Sequence, residues 1–209
     1  MAEHKRFSRP FLPWFLLLFS VLMLCTVAGC SATPTPKVRD FRIDDLLIDL
    51  SIFPSGWYVD SPPSHTTDSK GQVDGRYIQF RSEGFVARSM HIVYQYRDSR
   101  TAAYWYREYL PFGSAERLTS WEVPSELPYE SKVAAQFRFA CADFRQNPGD
   151  DSERLRACLA AGQYDEYVSI FSISMSPDDM AEHIPYSYLE RILKAIDERM
   201  AHYLGRESK

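Results

Sequence analysis

VAAQFRFACADFRQNPGDDSERLRACLAAGQYDEYVSIFSISM, residues 133–175, decides the fold. Three runs rich in aromatic, β-branched and small apolar residues are separated by clusters of turn formers. Residues 133–144, 154–161 and 167–175 therefore read as three strands of an antiparallel meander. The first link is built on Asn147-Pro148-Gly149-Asp150-Asp151, and the second centres on Gly162. Cys141 and Cys158 lie equally far from the middle of the first link, between Gly149 and Asp150. A symmetric hairpin sets them opposite each other, close enough for a disulfide.

Upstream of the meander the pattern is again strand, strand, helix. Residues 76–81 alternate, Ser82-Glu83-Gly84 turns, and a second strand runs to Arg97. Val86, Arg88, Met90, Ile92, Tyr94 and Tyr96 share one face of it, apolar except for Arg88. Ala87, Ser89, His91, Val93 and Gln95 share the other. Asp98 is placed to cap a helix reaching about Tyr109, with Ala102, Trp105, Tyr106, Tyr109 and Leu110 at helical spacing. Pro111 and Gly113 stop it. Residues 114–131 are mostly irregular, with a short strand at residues 121–123. Nearer the start, residues 40–50 form a short amphipathic helix, Pro54-Ser55-Gly56 turns, and Trp57-Tyr58-Val59-Asp60 is a first strand. Residues 61–75 have the composition of a loop.

Downstream, Ser176 caps a helical turn with Pro177 at its first position and Asp178 and Asp179 at its positive end. Pro185 starts the longest helix, which ends at Leu204-Gly205. Leu189, Ile192, Leu193, Ile196, Met200, Tyr203 and Leu204 form its apolar stripe, with Glu190, Lys194, Asp197 and Glu198 largely opposite. The expected architecture is α+β: a largely antiparallel sheet packed by helices, including a long C-terminal helix.

The start of the chain has the three parts of an export signal. Lys5, Arg6 and Arg9 make a positive opening. Residues 11–24 are apolar, and Val27-Ala28-Gly29-Cys30 ends the run. An aliphatic residue, a small one, Gly and then Cys resembles the lipobox of bacterial lipoproteins. The resemblance implies cleavage before Cys30 and lipid on its sulfur. The anchor would then be the cell membrane or the outer membrane, with the protein on the extracytoplasmic side. The rival reading is an uncleaved spanning helix over residues 11–28, at the lower limit of spanning length and with Pro13 in its first turn. The expected organisation is a signal peptide at residues 1–29, a lipidated Cys30 with a Pro-bearing tether to residue 39, and one domain over residues 40–209.

On that reading Cys25 leaves with the leader and Cys30 carries lipid. Cys141 and Cys158 remain, an even pair in an exported domain, which again points to a disulfide. The element order, the Pro54-Ser55-Gly56-Trp57 turn and the hairpin resemble small exported domains of the PsbP type and some extracytoplasmic sensor domains, over about residues 45–204. That resemblance implies a fold and no site residue.

The chain carries −4, and losing a leader of net +2 leaves −6. A mildly acidic domain without a Lys/Arg cluster is a poor binder of nucleic acid or of anionic lipid, so membrane attachment falls to the anchor. There is no nucleophile elbow, no zinc-protease helix, no P-loop and no dinucleotide fingerprint. No catalytic residue, metal or cofactor is assigned beyond the lipid on Cys30.

Three constellations of side chains remain. Asp179, Glu182 and His183 have a metal-ligand spacing but read more simply as helix-end charge. Asp143, Asp150, Asp151 and Glu153 supply oxygens without the EF-hand spacing. Tyr104, Trp105, Tyr106 and Tyr109, extended by Trp121, Tyr186 and Tyr188, form either core or a binding surface; Tyr104, Trp105, Tyr109 and Trp121 are the candidate surface residues. His91, alone in a strand, reads as a packed or surface histidine. The expected role is a non-catalytic binding, accessory or sensor domain with an envelope protein or ligand as partner. The alternative is an envelope hydrolase or metal-dependent enzyme built from dispersed residues, with His65, His91 or His183 meeting acids in a cleft.

Overall fold

A computed structural model describes residues 38–67, 70–84, 86–108, 119–145 and 154–205. Its framework is a six-stranded sheet of β1 (Trp57–His65), β2 (Gln72–Ser82), β3 (Arg88–Tyr96), β4 (Gln136–Arg145), β5 (Arg154–Tyr164) and β6 (Tyr167–Met175). The spatial order is β1-β2-β3-β6-β5-β4, and every neighbouring pair is antiparallel. Two meanders thus meet where β3 pairs with β6. Helices α1 (Ser99–Glu108), α2 (Pro177–His183) and α3 (Tyr186–Leu204) complete an α+β fold.

The alternation of the strands gives the sheet two covered faces. One face carries Ile78 and Phe80, then His91 and Val93, Phe171 and Ile173, Cys158 and Ala160, and Phe139 and Cys141 in matched register. Leu189, Ile192, Leu193, Ile196 and Met200 of α3 complete this main core. The other face holds Tyr94, Tyr96, Ala161 and Val168 against Ala102 and Tyr106 of α1. The apolar face expected of β3 therefore packs the smaller cluster. Its more polar face enters the larger one, because Ser89 and His91 find hydrogen-bond partners there.

The helix ends follow the sequence. Asp98 accepts from the Thr101 amide at 2.7 Å, and Ser176 accepts from the Asp179 amide with Pro177 behind it. Gly205 ends α3 at φ 65°, a left-handed value that glycine takes without strain.

Several expectations change. Residues 40–50 form no continuous helix but two 3-10 turns, Ile43–Leu46 and Leu50–Ile52. Arg199 of α3 holds them, bonding the Leu47 carbonyl and pairing with Asp49 at 2.5 Å. β1 runs on through Pro62 and Pro63, and β2 begins at Gln72, so most of the loop expected over residues 61–75 is strand. An edge strand tolerates proline on its unpaired side, and β1 shifts register on either side of Ser61. Gly162 is not the centre of the second link. It lies within β5 opposite Ser169, and the turn is at Asp165 and Glu166. The reason for glycine is space: a Cβ there would sit 2.5 Å from the Tyr164 ring.

The fold also begins before residue 40. Arg39 forks onto Glu166 at 2.7 and 2.8 Å and reaches Asp165 at 3.3 Å. Hydrogen bonding to Glu166 raises the Arg39 pKa above its ordinary value against the opposing effect of burial. The chain entering the domain is therefore tied to the β5–β6 turn at Arg39.

Candidate functional site

Residues 119–123 run along the β4 edge, and the chain then crosses to α3. At the edge, Glu122 and Cys141 exchange backbone hydrogen bonds of 3.0 and 2.9 Å. Thr119 does the same work two residues further along, its amide reaching the Asp143 carbonyl and its hydroxyl accepting from the Asp143 amide. The expected strand at residues 121–123 is thus a single bridge. It ends because Pro124 has no N–H to give and its carbonyl is turned back to the Leu127 amide at 3.0 Å. Past this point the chain leaves the edge, and a cleft of about 440 Å³ opens between residues 123–131 and residues 134–139. Val123, more than half exposed, stands at its rim, and Tyr129 meets Phe137 edge to face at 5.4 Å inside it.

What holds the far side of the cleft is Asp197. Its carboxylate is buried and accepts from Tyr164 at 2.6 Å, Tyr129 at 2.7 Å and Ser131 at 2.8 Å. Ser131 also takes the amides of Val133 and Ala134, so one knot fixes the strap from α3 to the start of β4. Burial first, and then the Asp197 carboxylate, push both phenols above the ordinary tyrosine pKa, so each stays a proton donor. Sequence reading placed Asp197 on the polar face of the helix. The missed signal is its spacing: Leu193, Asp197, Met200 and Leu204 recur at four, three and four residues, within the buried stripe.

His91 is fully buried. The Ile48 amide donates to its Nδ1 at 3.1 Å, which places the ring proton on Nε2, where it faces Ser169 Oγ at 2.8 Å. A general base needs a free ring nitrogen toward the hydroxyl. Here that nitrogen holds the proton, and the other is taken by the backbone. Burial, with the Arg199 charge as a lesser cause, lowers the His91 pKa to about 3. His91 is a packed histidine joining the 3-10 segment to β3 and β6.

The sequence-predicted residues are distributed as follows. Cys141 and Cys158 are paired partners in the β4–β5 ladder and form the disulfide, with Cα atoms 4.0 Å apart. Tyr104 is about half exposed and meets the half-buried Trp105 edge to face at 5.0 Å on α1. Trp105 is held close over Gly71, where a Cβ would lie 2.4 Å from its Nε1. Trp121 belongs to another element and packs on Phe144 of β4. Tyr109 and Cys30 lie outside the described residues, as do Asp150, Asp151 and Glu153. Tyr106 is core; Tyr186 and Tyr188 are half-buried and pack against the main cluster.

Asp143 is engaged by Arg156 at 2.7 and 3.1 Å, and the Asp179 carboxylate accepts from the hydroxyl of the capping Ser176 at 2.8 Å. Hydrogen bonding to Asp143 raises the Arg156 pKa above its ordinary range. His65 stands 3.3 Å from Asp74 at the end of β1, while His183 lies 4.0 Å from Glu182 on α2. These histidines sit on different elements from His91, each with its own neighbours. Among the described residues no group of three or more His, Cys, Asp or Glu side chains is placed to hold a metal ion. Nor is any helix among them long and apolar enough to cross a membrane. No family model, curated protein or solved structure matches this chain.

Proposed function

We propose that this protein is a lipid-anchored component of a bacterial envelope, attached through Cys30 to the cell membrane or outer membrane on its extracytoplasmic side, whose folded part binds another envelope component without catalysing a reaction. The observation that carries the anchor is Val27-Ala28-Gly29-Cys30 behind a positive, apolar leader, nine residues before the Arg39 clamp. Two acyl chains on such a cysteine hold a protein to a membrane where one does not.

The binding role is supported by how the ionisable groups are used. Asp197, His91 and Asp143 are each engaged within the fold, whereas the cleft beside β4 is lined by the Tyr129, Phe137 and Phe139 rings, small residues and the exposed side chains of Glu130 and Arg138, with no histidine or cysteine among them. Replacing Cys30 with Ser tests the anchor: the variant should leave the membrane fraction and lose incorporation of a labelled fatty acid. A variant that stays in the membrane points to the uncleaved helix. Cross-linking from native membranes tests the binding role, and turnover of an envelope substrate by the purified protein would overturn it.

A further inference from the structure

Among the described residues the β4 edge is half covered, and the register says which half has no main-chain partner there. Cys141 gives both its N–H and its carbonyl to Glu122, outward from the sheet. β4 pairs with β5 without a register shift from Gln136 to Arg145. Outward-directed main-chain groups recur every second residue in an antiparallel strand. Those of Asp143 also point outward, to Thr119, which fits the alternation. On the other side of Cys141 the outward positions are Phe139 and Phe137. Among the described residues, neither has an outward backbone partner, because Pro124 has turned the covering chain away. The 440 Å³ cleft lies against these two residues, within the usual range for ligand sites of about 300–1,000 Å³.

We propose that the open part of the β4 edge, at Phe137 and Phe139, binds an extended segment of a partner polypeptide as an added strand. The proposal rests on the reading of this domain as a binding module and names the form of its partner. The occupant follows from the chemistry of the site: the half-buried Phe137 and, deeper in the cleft, the buried Phe139 direct N–H and C=O outward in strand geometry, which another extended main chain matches. The bridge at Glu122 shows that this edge accepts an antiparallel strand, and the docked segment would continue along the line that Pro124 interrupts. Its side chains on the core side of the sheet would meet Tyr129 and Phe137, so an apolar or aromatic residue is expected at that position.

The test uses the purified full chain, presented to a display library of random ten-residue peptides, with amide hydrogen exchange read on the complexes. Selected peptides should slow exchange at Phe137 and Phe139 and leave the β1 edge unchanged. Phe137→Pro removes one outward donor without removing a bond to β5, while Phe137→Val removes the ring and keeps the donor. The first should weaken binding about tenfold more than the second, the worth of one hydrogen bond. Exchange on the unsubstituted chain carries the test should the proline variant not fold.

Binders that leave both amides exchanging as before, or a library that yields none, overturn the strand site. Protection that grows with protein concentration and needs no peptide would overturn it too, assigning the edge to a second copy of this chain. Binders or a cross-linked envelope protein mapping to another surface would remove the strand site and leave the binding role standing. Loss of both kinds of partner would remove the role as well.

Discussion

Replacing His91 with Asn removes a core histidine that resists taking up a second ring proton in the folded chain. In the unfolded chain an imidazole has its ordinary pKa of about 6.5. In the fold, burial and the Arg199 charge lower it to about 3. Between those values the unfolded state binds more protons, so stability rises with pH. The contribution is complete above about pH 6.5 and is lost as pH falls toward 3. Each pH unit in that window is worth about 1.4 kcal/mol. At pH 4.5 the loss is therefore about 2.7 kcal/mol, a large part of the roughly 5–15 kcal/mol that holds a domain together. Carboxylates titrate over the same range, and the variant isolates the histidine from them. Asn can still accept from the Ile48 amide, so His91→Asn should fold, weaker at neutral pH by about 1–3 kcal/mol for the lost Ser169 bond and ring volume. Urea unfolding at about pH 7.5 and pH 4.5 measures the difference. The native chain should lose about 2.7 kcal/mol more than the variant on acidification. Parallel losses would refute the reasoning, as would an imidazolium signal from His91 in the folded protein at the lower pH.

Three further outcomes follow from the same contacts. Tyr164→Phe removes one donor to the buried Asp197 and should cost about 1.5–3 kcal/mol in chemical denaturation; Asp197→Ala, which strands three hydroxyls, should cost more. A negligible effect of both would mean that the knot does not hold the strap. The Cys141–Cys158 link spans 17 positions, and opening it should lower stability by about 3 kcal/mol, measured as the shift in denaturation midpoint with and without reductant; two free thiols at these positions in protein purified without reductant would contradict the pairing. Arg39→Ala should free the entering chain from the β5–β6 turn, seen as faster proteolysis ahead of Phe41 with the midpoint little changed.

Local rules account for what was legible in advance. Asp98, Ser176 with Pro177, and Gly205 mark helix ends because capping is decided within a few residues. The opposition of Cys141 and Cys158 needed only a symmetric hairpin. The unread parts depend on residues far apart in the chain. Pro62 and Pro63 look like loop until β1 is known to be an edge. Gly162 looks like a turn until the Tyr164 ring is seen to occupy its Cβ position. Asp197 looks like a surface acid until Tyr129, Ser131 and Tyr164 arrive from as many as 68 residues away. Arg39 reads as tether because its partner Glu166 is 127 residues on. In each case a tertiary contact overrides a sound local preference.

The same contacts bear on why an open edge can persist in a stable domain. An exposed strand edge invites unwanted pairing unless something restrains it. Here the sheet's β4 edge is bridged by Glu122 at Cys141, directly where the disulfide ties β4 to β5. The strap that borders the open half is fixed to α3 by the Asp197 knot. Covalent and polar ties therefore hold both walls of the cleft, while its floor keeps outward main-chain groups at Phe137 and Phe139. Holding a binding surface in its docked shape beforehand lowers the entropy cost of association. A disordered edge would leave that cost to the partner, and a fully bridged edge would leave no site. The break in pairing at Pro124, set between two restrained walls, leaves this edge ordered and, among the described residues, without a main-chain partner at Phe137 and Phe139.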